Sequence, residues 1–194
     1  TWGQIAPKSG RIKMASELID SAIMPGIQGG PLIHVIAGKA VAFGEALAPE
    51  FKIYCKNIVD NAQILADELL NKNFNLVTGG TDTHVILIDL SDKNISGKKA
   101  EHILESAGIT TNKNMVPFDK RSPMITSGIR IGTPALTTRG MGSIEMKKIA
   151  NWIEQIINNP EDEKLIKSVR ENVKNLCDQF PLYEAKNEMH ELST

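Results

Sequence analysis

An arginine inside an apolar strand is the residue of this sequence best suited to bind a carboxylate. Arg130 lies between two isoleucines in residues 128–132 (GIRIG), a run that predicts a β-strand. A guanidinium is always charged, so placing it among apolar side chains costs free energy unless it meets an anion, and its planar fork matches a carboxylate. Two partners remain open: a ligand carboxylate, or an internal ion pair with Asp89.

A glycine-rich loop ahead of a helix is the second candidate site. Residues 26–30 (GIQGG) precede Pro31, which suits the first turn of a helix because its missing N–H would be unpaired there. Consecutive N–H groups at the positive end of a helix bind phosphate well. A tight turn that needs positive φ at its glycines would produce the same pattern, and both interpretations stay open.

Two polar segments, residues 112–114 and 122–124, carry amide, hydroxyl and backbone groups that suit a flat heterocycle with ring nitrogens. An ordinary polar loop is the alternative. His84 follows residues 79–83 at the mouth of an apolar strand, and we expect it to be structural rather than catalytic. His34 lies among apolar residues and is expected to be a core or interface residue.

Composition excludes several functional classes. The chain has 194 residues, with 22 Lys+Arg against 23 Asp+Glu and a net charge of −1, so it lacks the basic surface that nucleic acid binding requires. The longest uncharged run, residues 21–38, is broken by Pro-Gly and Gly-Gly-Pro steps and does not predict a membrane span. Cys55 and Cys177 stand far apart, which favours reduced thiols in the cytoplasm over a disulfide or a metal site.

Hydrophobic periodicity predicts an α/β or α+β fold, in which helices cover a small sheet and a mainly helical extension precedes it. We expect an arm over 1–15, a buried helix over 31–48 and, after a bend at Pro49, a helix over 50–70. Further elements are predicted in this order: strands over 74–77 and 84–90, a helix over 97–107, strands over 109–113 and 128–132, and helices over 144–157 and 165–177.

These segments together resemble the C-terminal half of serine hydroxymethyltransferase. The matching stretches are residues 25–37 (PGIQGGPLIHVIA), 79–84 (GGTDTH), 112–114 (NKN) and 126–135 (TSGIRIGTPA). The resemblance runs from about residue 16 to 183, with a weaker match at 7–10. It implies that the chain is the C-terminal part of a pyridoxal-phosphate transferase of fold type I. Such enzymes interconvert serine plus tetrahydrofolate with glycine plus methylenetetrahydrofolate in the cytoplasm, as homodimers or pairs of dimers.

The resemblance also implies roles for individual residues. Arg130 would bind the amino-acid carboxylate. The cofactor phosphate of the neighbouring subunit would contact Gly29 and Gly30. The folate would face Asn114, Ser122, Pro123 and Met124. The family usually has Phe at the last position, and Met fills an apolar contact but cannot stack on a ring.

The family's cofactor-binding lysine lies in a Thr-Thr-His-Lys-Thr segment that has no match here, and no His-Lys step occurs in the chain. Lys8 cannot replace it, so we expect no catalytic residue and no turnover by this chain alone. The implied domains are 1–49, the end of the large cofactor domain; 50–185, the small domain; and 186–194, a tail.

Three hypotheses about the chain follow from this resemblance. The first is that it is a portion of a longer enzyme. The second is that it is the product of a split or decayed gene, which either pairs with a separate N-terminal half or has no catalytic role. The third hypothesis is a non-catalytic module that binds folate or a protein.

Overall fold

A computed structural model of the protein describes residues 3–5 and 10–182. The chain forms two compact units, Thr1–Ala48 and Pro49–Thr194. Lys8, most of the weak match at 7–10 and the predicted tail at 186–194 lie outside the described residues.

The first unit begins with a two-stranded antiparallel ribbon and continues as helix. Strand β1 (Gly3–Ile5) pairs with β2 (Ile12–Met14), where the sequence predicts an arm without regular structure. Helix α1 (Ala15–Ser21) follows and runs into a π-helical turn over Ala22–Ile27. Backbone pairing between the two short segments, rather than any side-chain periodicity, makes this ribbon, so the expectation of irregular structure is wrong at these residues.

Helix α2 (Ile33–Leu47) ends the first unit, and no residue in it is buried. The sequence predicts a buried helix that starts at Pro31. The helix instead starts two residues later, after Leu32 in an extended conformation. Ile33, Val41 and Phe43 are each more than 60% exposed. The described residues therefore supply no surface that covers the apolar residues of this helix.

Helix α3 (Pro49–Asn71) opens the second unit with proline at its first position, where the missing N–H costs nothing. Ala48 before it is extended, with ψ at 146°. The chain is therefore interrupted between two helices, where the sequence predicts one helix with a bend. The buried face of α3 carries Ala62, Leu65 and Leu69.

A four-stranded antiparallel sheet forms the centre of the second unit. Its strands are β3 (Asn75–Leu76), β4 (Val85–Asp89), β5 (Asn112–Asn114) and β6 (Gly128–Gly132). Their order across the sheet is β3-β4-β6-β5, so β4 and β6 are central and β5 is an edge. The predicted strand at 109–113 is shifted toward the C-terminus, because pairing with β6 selects residues 112–114.

The remaining helices are α4 (Gly97–Ser106), α5 (Pro134–Thr138), α6 (Ser143–Asn158) and α7 (Glu163–Gln179). The hydroxyl of Ser96 accepts a hydrogen bond from the Lys99 amide and caps α4. The core contains Ile86 and Ile88 of β4 together with buried side chains of α3, α4, α6 and α7. This architecture agrees with the predicted α/β class and its helix-covered sheet. Within the described residues, no helix is long and apolar enough to cross a membrane.

Helix α4 begins in close contact with the segment that leads into β6. The Gly97 amide donates to the Thr126 carbonyl over 3.0 Å. A Cβ placed on Gly97 would lie 2.1 Å from Thr126 Oγ1 and 2.3 Å from the Gly128 carbonyl oxygen. These distances are shorter than any real contact, so only glycine fits at the start of this helix.

We expect Gly97→Ala to lower the free energy of unfolding by about 2–3 kcal/mol or more, because the added methyl must displace backbone atoms. Urea denaturation followed by circular dichroism measures this loss. Gly44→Ala adds the same methyl to α2, where nothing lies within 4 Å, and should leave the transition of the second unit unchanged. Equal urea midpoints for the Gly97 variant and wild type would contradict the close packing.

Candidate functional site

One face of the sheet is packed on helices and the other is open. Successive side chains of a strand point to opposite faces, so Ile129 and Ile131 of β6 enter the core while Arg130 points away from it. Arg130 is exposed. The premise of an arginine buried among isoleucines is therefore wrong, because alternation along the strand separates their side chains.

Arg130 contacts the side-chain amide of Asn112. Its Nε donates to Asn112 Oδ1 over 3.1 Å, and Asn112 lies directly opposite on β5. Asp89 is paired with Gly128 in the register, and its carboxylate accepts from the amide and hydroxyl of Ser91 instead. Among the described residues, no carboxylate pairs with Arg130, so the ion pair with Asp89 is excluded. The terminal guanidinium nitrogens remain available to a ligand.

A shallow concavity of about 450 Å³ lies beside this arginine, and its wall includes His84, Thr111 and Asn112. His84 is exposed, and its carbonyl oxygen accepts from the Thr133 amide over 3.3 Å. The Thr111 hydroxyl is a buried polar group without a hydrogen-bond partner in the described part of the chain. The concavity thus places a cation beside a side-chain amide, an arrangement that suits an anionic polar ligand.

Asn114 lies two residues beyond Asn112 on β5, so both side chains belong to the open face. At the spacing of a strand they are about 7 Å apart along the backbone. The side-chain Nδ2 of Asn114 donates to the Met115 carbonyl over 2.8 Å. Arg130, the candidate carboxylate-binding residue, and Asn114, a candidate folate-binding residue, therefore lie close together on one surface of the chain.

The loop that follows, residues 115–127, returns the chain from β5 to β6. Val116 is buried, and its side chain would lie 2.8 Å from a Cβ on Gly128, so that glycine lets the loop approach the sheet. A turn at the far side is closed by hydrogen bonds from the amides of Ile125 and Thr126 to the Ser122 carbonyl, both 2.9 Å. Ser122 and Pro123 are exposed, and Met124 is 73% exposed. The turn therefore exposes both a polar side chain, Ser122, and an apolar one, Met124.

The carboxylate of Asp119 is the acceptor at the centre of this loop. Its Oδ1 accepts from the Ser127 hydroxyl at 2.7 Å and the Arg121 amide at 2.9 Å. Its Oδ2 accepts from the amides of Ser127 at 2.8 Å and Val116 at 3.3 Å. Burial raises the pKa of Asp119, but the hydrogen bonds from Ser127, Arg121 and Val116 together outweigh it and lower the pKa to about 2.

Gly29 and Gly30 are exposed in the first unit, just before α2, and border a concavity that includes Lys39. Neither glycine has a positive φ, and a Cβ on either would meet nothing within 4 Å. The left-handed turn considered as an alternative is thus excluded. Packing among the described residues does not require glycine at either position, which leaves the backbone N–H groups open to a ligand.

The comparison with known proteins gives one result. A model of the family described as serine hydroxymethyltransferase matches residues 4–153, which is more than half of the chain. The chain belongs to the serine hydroxymethyltransferase family. The resemblance stated from the sequence motifs is confirmed. Membership supports a transferase of one-carbon metabolism, in a family that uses pyridoxal phosphate and tetrahydrofolate.

The structure brings some of the sequence-predicted residues together. Arg130 and Asn114 share the open sheet face, and the 122–124 turn belongs to the loop that leaves this face. Gly29 and Gly30 belong to the first unit. In the described residues, no group of three or more His, Cys, Asp or Glu side chains is arranged to hold a metal ion.

Two residues of this site were missed by the sequence reading. Asn112 lies within a segment noticed for its polarity, but its pairing with Arg130 depends on the register of β5 against β6. Asp119 gave no signal beyond its place in a loop with two prolines. An acid followed two positions later by a backbone donor is a common turn arrangement, and this spacing could have suggested Arg121 as its partner.

We expect the Asp119 carboxyl carbon to titrate with a midpoint near 2. Because the folded pKa is depressed, the stability contributed by Asp119 is fully present above its unfolded pKa of 3.8 and is lost as the pH falls through 2. Carbon NMR of the carboxyl group from pH 6 to pH 1.5 measures the titration. Spectra of Asp119→Asn assign the signal, and a midpoint at or above 3.8 would refute the hydrogen-bonded geometry.

Proposed function

We propose that this chain is the C-terminal portion of a fold-type I serine hydroxymethyltransferase. The complete enzyme interconverts serine plus tetrahydrofolate with glycine plus methylenetetrahydrofolate. Residues 1–49 end its large cofactor domain, 50–185 form its small domain and 186–194 are a tail. The observation that carries the proposal is the arrangement of Arg130, Asn112 and Asn114 on one open sheet face. Family membership supports the reaction class.

Arg130 binds the carboxylate of serine or glycine in this proposal. Asn112 holds the guanidinium through Nε, so the two terminal nitrogens face outward as a pair. A pair of parallel N–H donors binds both oxygens of a carboxylate and so fixes the orientation of the amino acid as well as its charge. The lack of an internal ion pair in the described residues means that no protein carboxylate must leave before the substrate binds.

The folate binds against Asn114 and the 122–124 turn. Asn114 offers an amide donor and acceptor to a ring with several nitrogens, and the Ser122 hydroxyl adds another polar group. Met124 offers a flexible apolar surface in place of an aromatic ring. In this proposal the two substrates bind on adjacent parts of one surface, and the separation of about 7 Å between Asn112 and Asn114 along β5 supports it.

The glycine-rich loop holds part of the cofactor phosphate of a neighbouring subunit. The amides of Gly29 and Gly30 are free of side-chain crowding, and Lys39 lines the same concavity with a positive charge. When bound, pyridoxal phosphate supplies the electron sink that stabilises negative charge at the substrate α-carbon. In this proposal, the lysine that anchors the cofactor and most of the other residues that contact it lie outside the 194 residues.

Assembly and compartment complete the proposal. The exposed apolar residues of α2 suit a surface covered by a second subunit in a homodimer or a pair of dimers, or by a separate N-terminal half. Cys55 and Cys177 are both free thiols, in keeping with the reducing cytoplasm. A remnant that binds folate or a protein without catalysis is the second candidate, since the open sheet face is formed by this chain alone.

We expect Arg130→Lys to raise the KM of the complete enzyme for serine by about 10- to 100-fold, because a single ammonium cannot replace two parallel donors. The Kd for folate should change less than threefold. Steady-state kinetics and folate titration measure both values. Arg170→Lys, an exposed residue whose guanidinium reaches only the Ser106 carbonyl at 3.5 Å, is the matched control. Unchanged serine kinetics in the Arg130 variant would sink the carboxylate assignment.

The length of the native gene product tests the proposal that this is a portion of an enzyme. We expect an intact mass well above 21.2 kDa when the protein is purified from its own cells and measured by mass spectrometry. A product of 21.2 kDa that neither co-purifies with an N-terminal half nor gains turnover with one would reject it. Folate binding by that product would then favour the non-catalytic module.

A further inference from the structure

One carboxylate links the beginning, middle and end of the loop that carries the proposed folate contacts. Asp119 accepts hydrogen bonds from Val116 near β5, from Arg121 within the loop and from Ser127 next to β6. These donors are spread over twelve residues of sequence and converge on two oxygen atoms. No other side chain among the described residues of this loop makes as many contacts.

The backbone of the loop is strained on both sides of these contacts. Phe118 and Thr126 have φ values of 59° and 58°, in the left-handed region that non-glycine residues seldom adopt. Phe118 directly precedes Asp119. Thr126 directly precedes Ser127, which donates to Asp119 from both its amide and its hydroxyl. Strained residues of this kind persist only where surrounding contacts hold them. The hydrogen bonds to Asp119 involve the residue that follows each of Phe118 and Thr126.

Other anchors hold the loop at its rim. The Arg121 guanidinium donates to the Ile95 carbonyl over 2.8 Å, and the amides of Gly97 and Lys98 donate to the carbonyls of Thr126 and Ile125. These contacts attach the loop to α4 and the segment before it. They do not connect the Val116 side of the loop to the Ser127 side. Pairing of β5 with β6 and the contact of Val116 with Gly128 join the two sides at the sheet, and within the described residues Asp119 alone joins them by side-chain hydrogen bonds.

We propose that Asp119 is a positioning residue, which sets the placement of Asn114 and the 122–124 turn relative to each other and so determines the affinity for folate. This inference rests on the proposed function of those residues. Val116 lies two residues after Asn114, and Arg121 immediately precedes Ser122, so each of these donors fixes one side of the folate surface. Asp119 itself touches no ligand in this arrangement.

Asparagine cannot take over this role. All four groups that face Asp119 are donors, and an ionised carboxylate accepts at both of its oxygens. In Asp119→Asn one oxygen becomes an NH₂ group. At the Oδ2 position it meets the amides of Ser127 and Val116, which cannot accept, and both bonds are lost. At the Oδ1 position the Ser127 hydroxyl can turn to accept, but the bond from the Arg121 amide is lost. Ser127→Ala removes only the hydroxyl contact at 2.7 Å and keeps the amide bonds, so it gives a graded second variant.

The experiment uses the gene product at its native length. Titration with 5-formyltetrahydrofolate, a stable reduced folate, gives the folate Kd, and titration with glycine gives the amino-acid Kd. Amide hydrogen exchange reports the loop at Val116, Arg121 and Ser127. Asp162→Ala is the matched control, because Asp162 also accepts two backbone amides, at the start of α7, and belongs to a different element from the loop.

We expect Asp119→Asn to raise the folate Kd about tenfold or more and Ser127→Ala to raise it by less. Exchange should accelerate at the loop amides in both, while the glycine Kd stays within twofold of wild type. Asp162→Ala should lower thermal stability and leave both Kd values unchanged. Should Asp119→Asn fail to fold, the Ser127 variant alone must show the selective loss.

Three results would overturn the inference. Faster loop exchange without weaker folate binding would show that loop order does not govern affinity. Equal weakening of folate and glycine, shared by Asp162→Ala, would reduce Asp119 to a general structural role. A wild-type protein that binds glycine but no folate would reject the proposed folate surface itself, before any variant is compared.

Discussion

The antiparallel pairing of β5 with β6 is the constraint on which the candidate site depends. It places Asn112 opposite Arg130 and Asn114 opposite Gly128, and alternation along each strand then turns these side chains to the face without helices. The same alternation sends Ile129 and Ile131 into the core. Packing of the core and presentation of the arginine are thus two results of one register, and a shift by one residue would reverse both.

Two glycines allow the close contacts that α4 and the loop make with β6. Gly97 lets α4 begin against the carbonyl of Gly128, and Gly128 in turn admits Val116 over the open face. The helix, the strand and the loop therefore meet where side chains are absent. Asp119 then closes the loop with hydrogen bonds rather than apolar contacts, which leaves the 122–124 turn exposed instead of folded into the core.

The two units differ in how completely they bury their apolar residues. The second unit has a continuous core of isoleucine, leucine and methionine between the sheet and its helices. The first unit leaves Ile33, Val41 and Phe43 of α2 exposed. Helix propensity alone is weak for a segment rich in β-branched residues and glycine, so we expect surface from elsewhere to stabilise this helix. Its exposed face is consistent with the partner surface that we propose.

The sequence by itself determined the family, most helices and the two central strands, because these depend on local signals. Ser96 caps α4 and Pro49 opens α3 through local contacts, and the alternation of the GIRIG run predicts β6, which then forms by pairing with β4 and β5. Tertiary structure alone decided that Arg130 is exposed and that Asn112 is its partner. Each of these depends on register or on neighbours far along the chain, and neither residue type nor local spacing reports such contacts. Asp119 belongs with them, since the convergence of its donors exists only once the loop has closed.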